Sequence, residues 1–457
     1  MRAAFHAVVV AAVVASAAPA SCRPASAAGT TRAFPFAREV HTLPNGLRVV
    51  LIPYDSPGLV AYYTLMRVGS RNEAEPGRSG YAHFFEHMMF RGTPTHPGEE
   101  ASRTMSKLGL STNAFTSNDM TVYHLYGPAR ALPTIIEYEA DRFQHLAYNE
   151  EQFKTEAGAI LGEYVKSASN PEQILDERLS ETAYTVHTYR HTVIGYLDDV
   201  KAMPSGFAYS REFFRRYYTP DNATIVIVGD FDNRATLAAV TKAYGGWKGK
   251  LDAVKIPVEP PQTAPRSAHV AWKLPTLPRL YLGWHAPAAA DVGATAVQSV
   301  LGDYLFGPTS PLYQDLVLGR QLVDSMEVTW EPSRDPALFG VLLRVKKPGD
   351  VATAQQTVLA ELGKLAAGEV DRKRLDAVRS NLKYEAILRL DTAARVAVTL
   401  ARTSAQTGDV DYMNKLYARI DRLQPAELAA FAKRWLTDGN RTTVTLTSGG
   451  STAEGAK

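Results

Sequence analysis

The chain has almost no cysteine: Cys22 is the only one in 457 residues. One thiol can close no internal disulfide. A surplus of one charge is also missing. Fifty lysines and arginines meet 47 aspartates and glutamates, for a net charge of +3. With no basic stripe along the chain, nucleic acid is disfavoured as a partner. Long apolar runs are absent after the first residues, so no transmembrane span is expected in the mature protein. Ala7 to Ala20 form a short apolar run behind Arg2, followed by small residues. That pattern reads as a secretory signal peptide over residues 1–28, cut near Ala18-Pro19-Ala20 or Ala25-Ser26-Ala27, and implies a periplasmic or secreted protein. Cys22 is a candidate lipid-anchor site, but Pro19-Ala20-Ser21 matches such a signal poorly, and removal with the signal peptide is the favoured reading.

The length calls for two or more compact units. Lys255 to Ser267 carries four prolines and reads as an extended linker. The expected organisation is a first domain over 36–250, a linker over 251–268 and a second domain over 269–450. The two halves end in related text, FRRYYTPDNATIVIV from Phe214 and FAKRWLTDGNRTTVTL from Phe431, with Asn222 and Asn440 at matching places. This points to an internal repeat. Val40 to Ile52 predicts a hairpin turning at Asn45-Gly46. Ala61 to Val68, Met120 to Tyr126 and Leu280 to Trp284 are strand candidates, and Arg372 to Arg402 has helical composition.

The segment His83-Phe84-Phe85-Glu86-His87 carries the chemistry. On a helix the two histidines fall at i and i+4 and share a face, a spacing that can grip one zinc ion. Glu86 lies beside them, placed to take a proton from an attacking water. The order is the reverse of H-E-x-x-H, the inverted zincin pattern. Tyr81 to Phe90 contains no proline or glycine, and Gly92 and Pro94 follow as stop signals. The apolar surroundings predict a buried helix, in which such polar groups are costly unless paired or metal-bound. A second expected helix, Glu151 to Ser169, places Glu156 and Glu163 two turns apart on one face. Ala157, Gly158, Ala159 and Gly162 between them would permit close approach to another helix. The spacing alone leaves open whether these glutamates form a site or a solvated face.

The text around these motifs resembles the pitrilysin/insulinase family of inverted zincin metallopeptidases, in particular the branch of bacterial relatives of mitochondrial processing peptidases. Leu43-Pro44-Asn45-Gly46-Leu47-Arg48-Val49, Gly69-Ser70-Arg71-Asn72-Glu73, Phe90-Arg91-Gly92-Thr93, Asn113-Ala114-Phe115-Thr116-Ser117, Val193-Ile194-Gly195 and Tyr218-Thr219-Pro220-Asp221-Asn222 all share it. The resemblance covers roughly residues 38 to 448 and is stronger in the first half. It implies an α+β fold of two homologous domains, each a largely antiparallel sheet packed with helices, together a bowl-shaped half of a clamshell. It also implies Glu163, well downstream of His87, as the third ligand of one zinc ion per chain. Glu156 would support the site from outside. Asn113, Ala114, Phe115 and Thr116 would bind an extended peptide by strand addition.

One departure stands out. Active members carry an arginine and a tyrosine, seven residues apart in a non-zinc domain, that bind the scissile carbonyl. Here Val317 and Asp324 fall at those positions, and Arg320 is out of register. Valine donates no hydrogen bond, and an aspartate would repel a developing oxyanion. The expectation is therefore a zinc endopeptidase subunit of a heterodimer, whose related partner supplies the arginine/tyrosine pair for peptide or unfolded substrates. The alternatives are a non-catalytic peptide-binding or assembly subunit, as in respiratory complexes, and a purely structural metal site. His124, His187, His191 and His285 have no ligand spacing and are expected to be structural or exposed.

Overall fold

Two runs of β-branched residues, Arg48–Pro53 and Ala223–Gly229, form neighbouring interior strands of the first sheet, because such side chains pack best on a pleat buried on both faces. The computed structural model describes residues 32–448; the expected signal peptide and Cys22 lie outside the described residues. The first half contains β1 (Glu39–Thr42), β2 (Arg48–Pro53), β3 (Leu59–Met66), helices α1 (Tyr81–Met88) and α2 (Gly98–Lys107), β4 (Ser111–Thr116), β5 (Thr121–Pro128), α3 (Leu132–His145), α4 (Glu150–Ser167), α5 (Pro171–Ala183) and β6 (Ala223–Gly229). The six strands form one sheet in the order β1-β2-β6-β3-β5-β4, with only β2 and β6 parallel. The hairpin joining β1 and β2 turns at Asn45-Gly46 as expected. Gly46 has φ +93°, and a Cβ there would stand 2.8 Å from that of Asp221.

The second half repeats this plan. It contains β7 (Arg266–Trp272), β8 (Arg279–Ala286), α6 (Val292–Phe306), β9 (Val323–Val328), β10 (Ala337–Val345), α7 (Arg372–Leu388), α8 (Ala393–Thr407) and β11 (Arg441–Ser448). Its sheet runs β7-β11-β8-β10-β9, again with a single parallel pair, β7 and β11. Removing β1 from the first sheet makes the two orders identical. The repeat extends to the turn before each last strand: Asn222 and Asn440 each donate from Nδ2 to the carbonyl five residues back, on Tyr217 and Trp435, at 2.9 and 2.7 Å. The segment expected to be helical over Arg372 to Arg402 is two helices, α7 and α8. The residues from 247 to 265 have no regular structure, and β7 opens at Arg266.

Alternation along the strands sends side chains to two separate cores. Val49, Leu51, Val60, Tyr62, Ile225 and Ile227 meet α1, α3 and α4 on one face of the first sheet. Val50, Ile52, Ala61, Leu65, Val226 and Val228 point the other way, onto Val396, Ala397, Leu400 and Ala401 of α8. A helix of the second half therefore covers the back of the first sheet. The converse also holds: Leu175 and Leu179 of α5 pack on Tyr281, Val444 and Leu446 of the second sheet. The crossing helices occupy equivalent places in the two halves: α4 and α7 begin at 150 and 372, α5 and α8 at 171 and 393, with the same offset in both pairs. The loop between β9 and β10 closes the seam. Asp335 accepts from Arg71 Nε at 2.6 Å and lies 2.9 Å from His187 Nε2. Asp119 accepts from Tyr189 at 2.6 Å and from the Arg334 backbone at 2.8 Å.

Candidate metal centre

Helix α1 is capped by Gly80, which has φ +91° and packs so closely that a Cβ would meet the Ile194 carbonyl oxygen at 2.7 Å. A buried carboxylate holds its first turn: Glu73 accepts from the backbone of Gly80 at 2.8 Å and of Ala82 at 2.7 Å. Burial pushes the Glu73 carboxyl up to about 8, although these backbone bonds pull the other way. Tyr81, Phe84, Phe85 and Met88 anchor the helix in the core and leave His83, Glu86 and His87 half-buried on the opposite side. The Phe85 carbonyl also accepts from the Tyr123 hydroxyl at 3.1 Å, tying the helix to β5. The helix ends at Met88, before the expected Phe90.

Helix α4 is fixed at its start by Asn149, which accepts from Gln152 N while the Gln152 side chain accepts from Asn149 N, both at 2.9 Å. Phe153, Glu156, Ala157 and Ile160 face inward. Of the small residues expected to permit close helix approach, Ala157 is buried, whereas Gly158 and Gly162 face open space. Glu163 lies exposed one turn beyond Ile160 and reaches back to α1.

The ligand atoms of His83, His87 and Glu163 lie within 4.8 Å of one another, the only such group of three among the described residues. Glu163 Oε2 is 3.4 Å from His83 Nε2 and 3.5 Å from His87 Nε2. A tetrahedral zinc with bonds of about 2.0–2.1 Å needs ligand atoms about 3.3 Å apart, and the two distances from Glu163 to the histidines match that spacing. Burial and the neighbouring His87 push His83 down to about 4, leaving a neutral imidazole with a lone pair to offer. The bond to Glu156 raises His87 against the effect of burial.

Glu156 is placed behind the group, not in it. Its Oε1 lies 3.0 Å from His87 Nδ1, and its Oε2 accepts from Arg91 Nε at 2.6 Å. Burial raises its carboxyl, but the bonds from His87 and Arg91 outweigh this and hold it low. Glu86 accepts from the Thr116 hydroxyl at 2.6 Å through Oε2. Burial raises Glu86, with the Thr116 bond opposing. Sequence reasoning placed Thr116 only on a peptide-binding strand and read Arg91 only as motif text. The side-chain partners of both were missed.

Asn113, Ala114, Phe115 and Thr116 all lie on β4, the strand at the free edge of the first sheet. Two cavities meet at Glu86. One, of about 800 Å³, runs along α4, α5 and the β9–β10 loop; the other, of about 860 Å³, lies between α1, α2 and β4. The first is lined by His83 and Glu163, the second by His87 and Glu156, and Glu86 lines both. The described residues of the second half place no arginine/tyrosine pair on either. Val317 packs against the second core, Asp324 is bonded by Arg344 Nε at 2.7 Å, and Arg320 is bonded to Asp315. His187, His191 and His285 are buried, and His124 is half-buried.

Comparison with known proteins covers both halves. The model of the insulinase family, peptidase family M16, matches residues 49–196, and that of the peptidase M16 inactive domain matches residues 209–382. The zinc protease PqqE of Helicobacter pylori is 29% identical over 415 residues, which span 89% of this chain and 91% of that protein. The crystal structure of a protease from Helicobacter pylori superposes with a TM-score of 0.84 at 28% identity, covering 90% of this chain and 99% of that one. The first half of the periplasmic protease PqqL from Escherichia coli shares the fold, with a TM-score of 0.72 at 21% identity and coverage of 90% of this chain and 92% of that one. Against the whole PqqL chain the match spans 47% of its length.

Proposed function

We propose that this chain, which belongs to the insulinase (M16) peptidase family, is a zinc-dependent endopeptidase of peptides and unfolded segments. The observation that carries this reading is the convergence of His83, His87 and Glu163 within 4.8 Å of one another, with Glu86 on the same helix as the two histidines. Bound zinc would polarise the scissile carbonyl and acidify the attacking water. Glu86, with Oε2 occupied by Thr116, has Oε1 left to take the proton from that water and deliver it to the departing amine. Glu156 orients His87. The edge of β4 would hold the substrate backbone through Asn113, Ala114, Phe115 and Thr116, as a seventh strand of the sheet.

The same reading makes the chain one subunit of a heterodimer. The second half offers Val317 and Asp324 where carbonyl-binding donors belong, so a related chain would supply the arginine and tyrosine. PqqL, which carries a like half within a chain about twice as long, supports this. PqqL is a periplasmic protease, which fits the export expected from residues 1–28. No helix among the described residues is long and apolar enough to cross a membrane.

The test is hydrolysis of quenched peptides by the mature chain, alone and mixed with a related arginine/tyrosine-bearing chain. Hydrolysis by the mixture, lost on chelation and in Glu86→Gln with zinc retained, is expected. Full activity from the verified single chain would sink the heterodimer. Bound zinc without hydrolysis in any mixture would favour the second reading, a peptide-binding or assembly subunit, which the missing donor pair supports.

A further inference from the structure

A metal-ligating histidine ordinarily donates its second ring nitrogen to a carboxylate or carbonyl, which fixes the tautomer and aims the ring. The two histidines here are supported unequally. His83 Nδ1 is buried and has no hydrogen-bond partner among the described residues. Outer support therefore falls on His87 alone, through Glu156, whose side chain is only 7% exposed. The hydrogen-bond partners of Glu156 are His87 and Arg91.

We propose that Arg91 is a positioning residue for the metal: its grip on Glu156 sets how firmly the site retains zinc. The inference rests on the proposed metal site and goes beyond it. Arg91 contacts no ligand of the group and acts through Glu156. Both Nε, at 2.6 Å, and a terminal guanidinium nitrogen reach Glu156 Oε2. That occupies one carboxylate oxygen and leaves Oε1 to His87 Nδ1, so Nδ1 keeps the proton and the Nε2 lone pair faces Glu163 and His83.

The backbone is built to hold the guanidinium there. Arg91 N donates to the Met88 carbonyl at 2.9 Å, and its own carbonyl accepts from Gly98 N at 3.1 Å. Gly92 has φ +88°, turning the chain sharply away. At Gly98 any Cβ would strike the carbonyl oxygens of Phe90 and Arg91 at 2.4 and 2.9 Å. Without the guanidinium, Glu156 can swing off His87, and the buried carboxylate keeps one partner where it had two. His83 offers no second support to compensate.

The experiment measures zinc affinity by competition with a chromogenic chelator in the full-length chain, for wild type, Arg91→Leu and Arg91→Lys, with thermal melting of each zinc-free form. Arg91→Leu should lose zinc affinity by about ten- to a hundredfold, with Arg91→Lys between it and wild type, because lysine keeps the charge but not the fork. If either chain proves unstable, the other still reads the effect. In peptide hydrolysis by the chain mixed with its arginine/tyrosine-bearing partner, saturating zinc should restore kcat to Arg91→Leu with KM unchanged. Equal zinc affinity in all three would overturn the inference and leave the metal site standing, as would a lower melting temperature with unchanged affinity. A wild-type chain that binds no zinc would overturn the site and the inference together.

Discussion

Thr116 shows what a single hydroxyl contributes. It donates to Glu86 Oε2 from the strand proposed to bind substrate, so the base and the peptide platform are mechanically joined. Thr116→Val keeps the shape and removes the donor, freeing Glu86 to rotate. The expected result is a kcat lower by about tenfold to a hundredfold, with zinc affinity unchanged, read from steady-state kinetics and chelator competition. Equal loss of zinc would assign Thr116 to the fold and not to Glu86. At this scale the sequence was uneven. His83, Glu86 and His87 are legible because a helix dictates locally which of five residues share a side. Glu163 needed the resemblance, since its neighbours in space, His83 and His87, sit on another helix far back in the chain. The roles of the Arg91 and Thr116 side chains were not legible, because each depends on a loop or strand meeting a helix from elsewhere.

Among the elements, α1 is the most exacting. Its first turn depends on Gly80 in a left-handed conformation against the Ile194 carbonyl. Gly80→Ala adds both strain and a clash. It should cost about 2–4 kcal/mol in urea unfolding and reduce zinc uptake in the folded fraction. A change below about 0.5 kcal/mol would show that the turn relaxes freely. The strand and hairpin expectations agree with β1, β2, β3, β5 and β8, where β-branched runs and Asn45-Gly46 state local geometry directly. The break between α7 and α8 was written as well: Thr392 accepts from Arg395 N at 3.2 Å, a helix start hidden inside helical composition. Small residues on α4 misled because smallness says that a helix could approach, not that one does.

At the scale of the molecule, the repeat was readable in its closing strands, but the exchange of α5 and α8 was not, because each packs far from its own half's sheet. Two outcomes follow from it. Residues 33–250 produced alone should expose the apolar back of the first sheet, bind hydrophobic dyes and aggregate, whereas co-production with the second half should restore a soluble complex. Burial of each valine or leucine on that face is worth about 1.5–3 kcal/mol, so a soluble, well-packed first half would contradict the packing. The seam also responds to acid. Bonds to His187 and Arg71 outweigh the burial that would raise Asp335, and hold it low. A depressed carboxyl gives stability above its unfolded value of about 4, lost as pH falls toward the folded one. Asp335→Asn should therefore lower the melting temperature at pH 7 and flatten the decline below about pH 4, measured by pH-dependent melting. The crossed helices also give the linker a task. Neither half covers both sides of its own sheet, so each folds fully only against the other, and the tether between them turns that meeting into an intramolecular event independent of protein concentration.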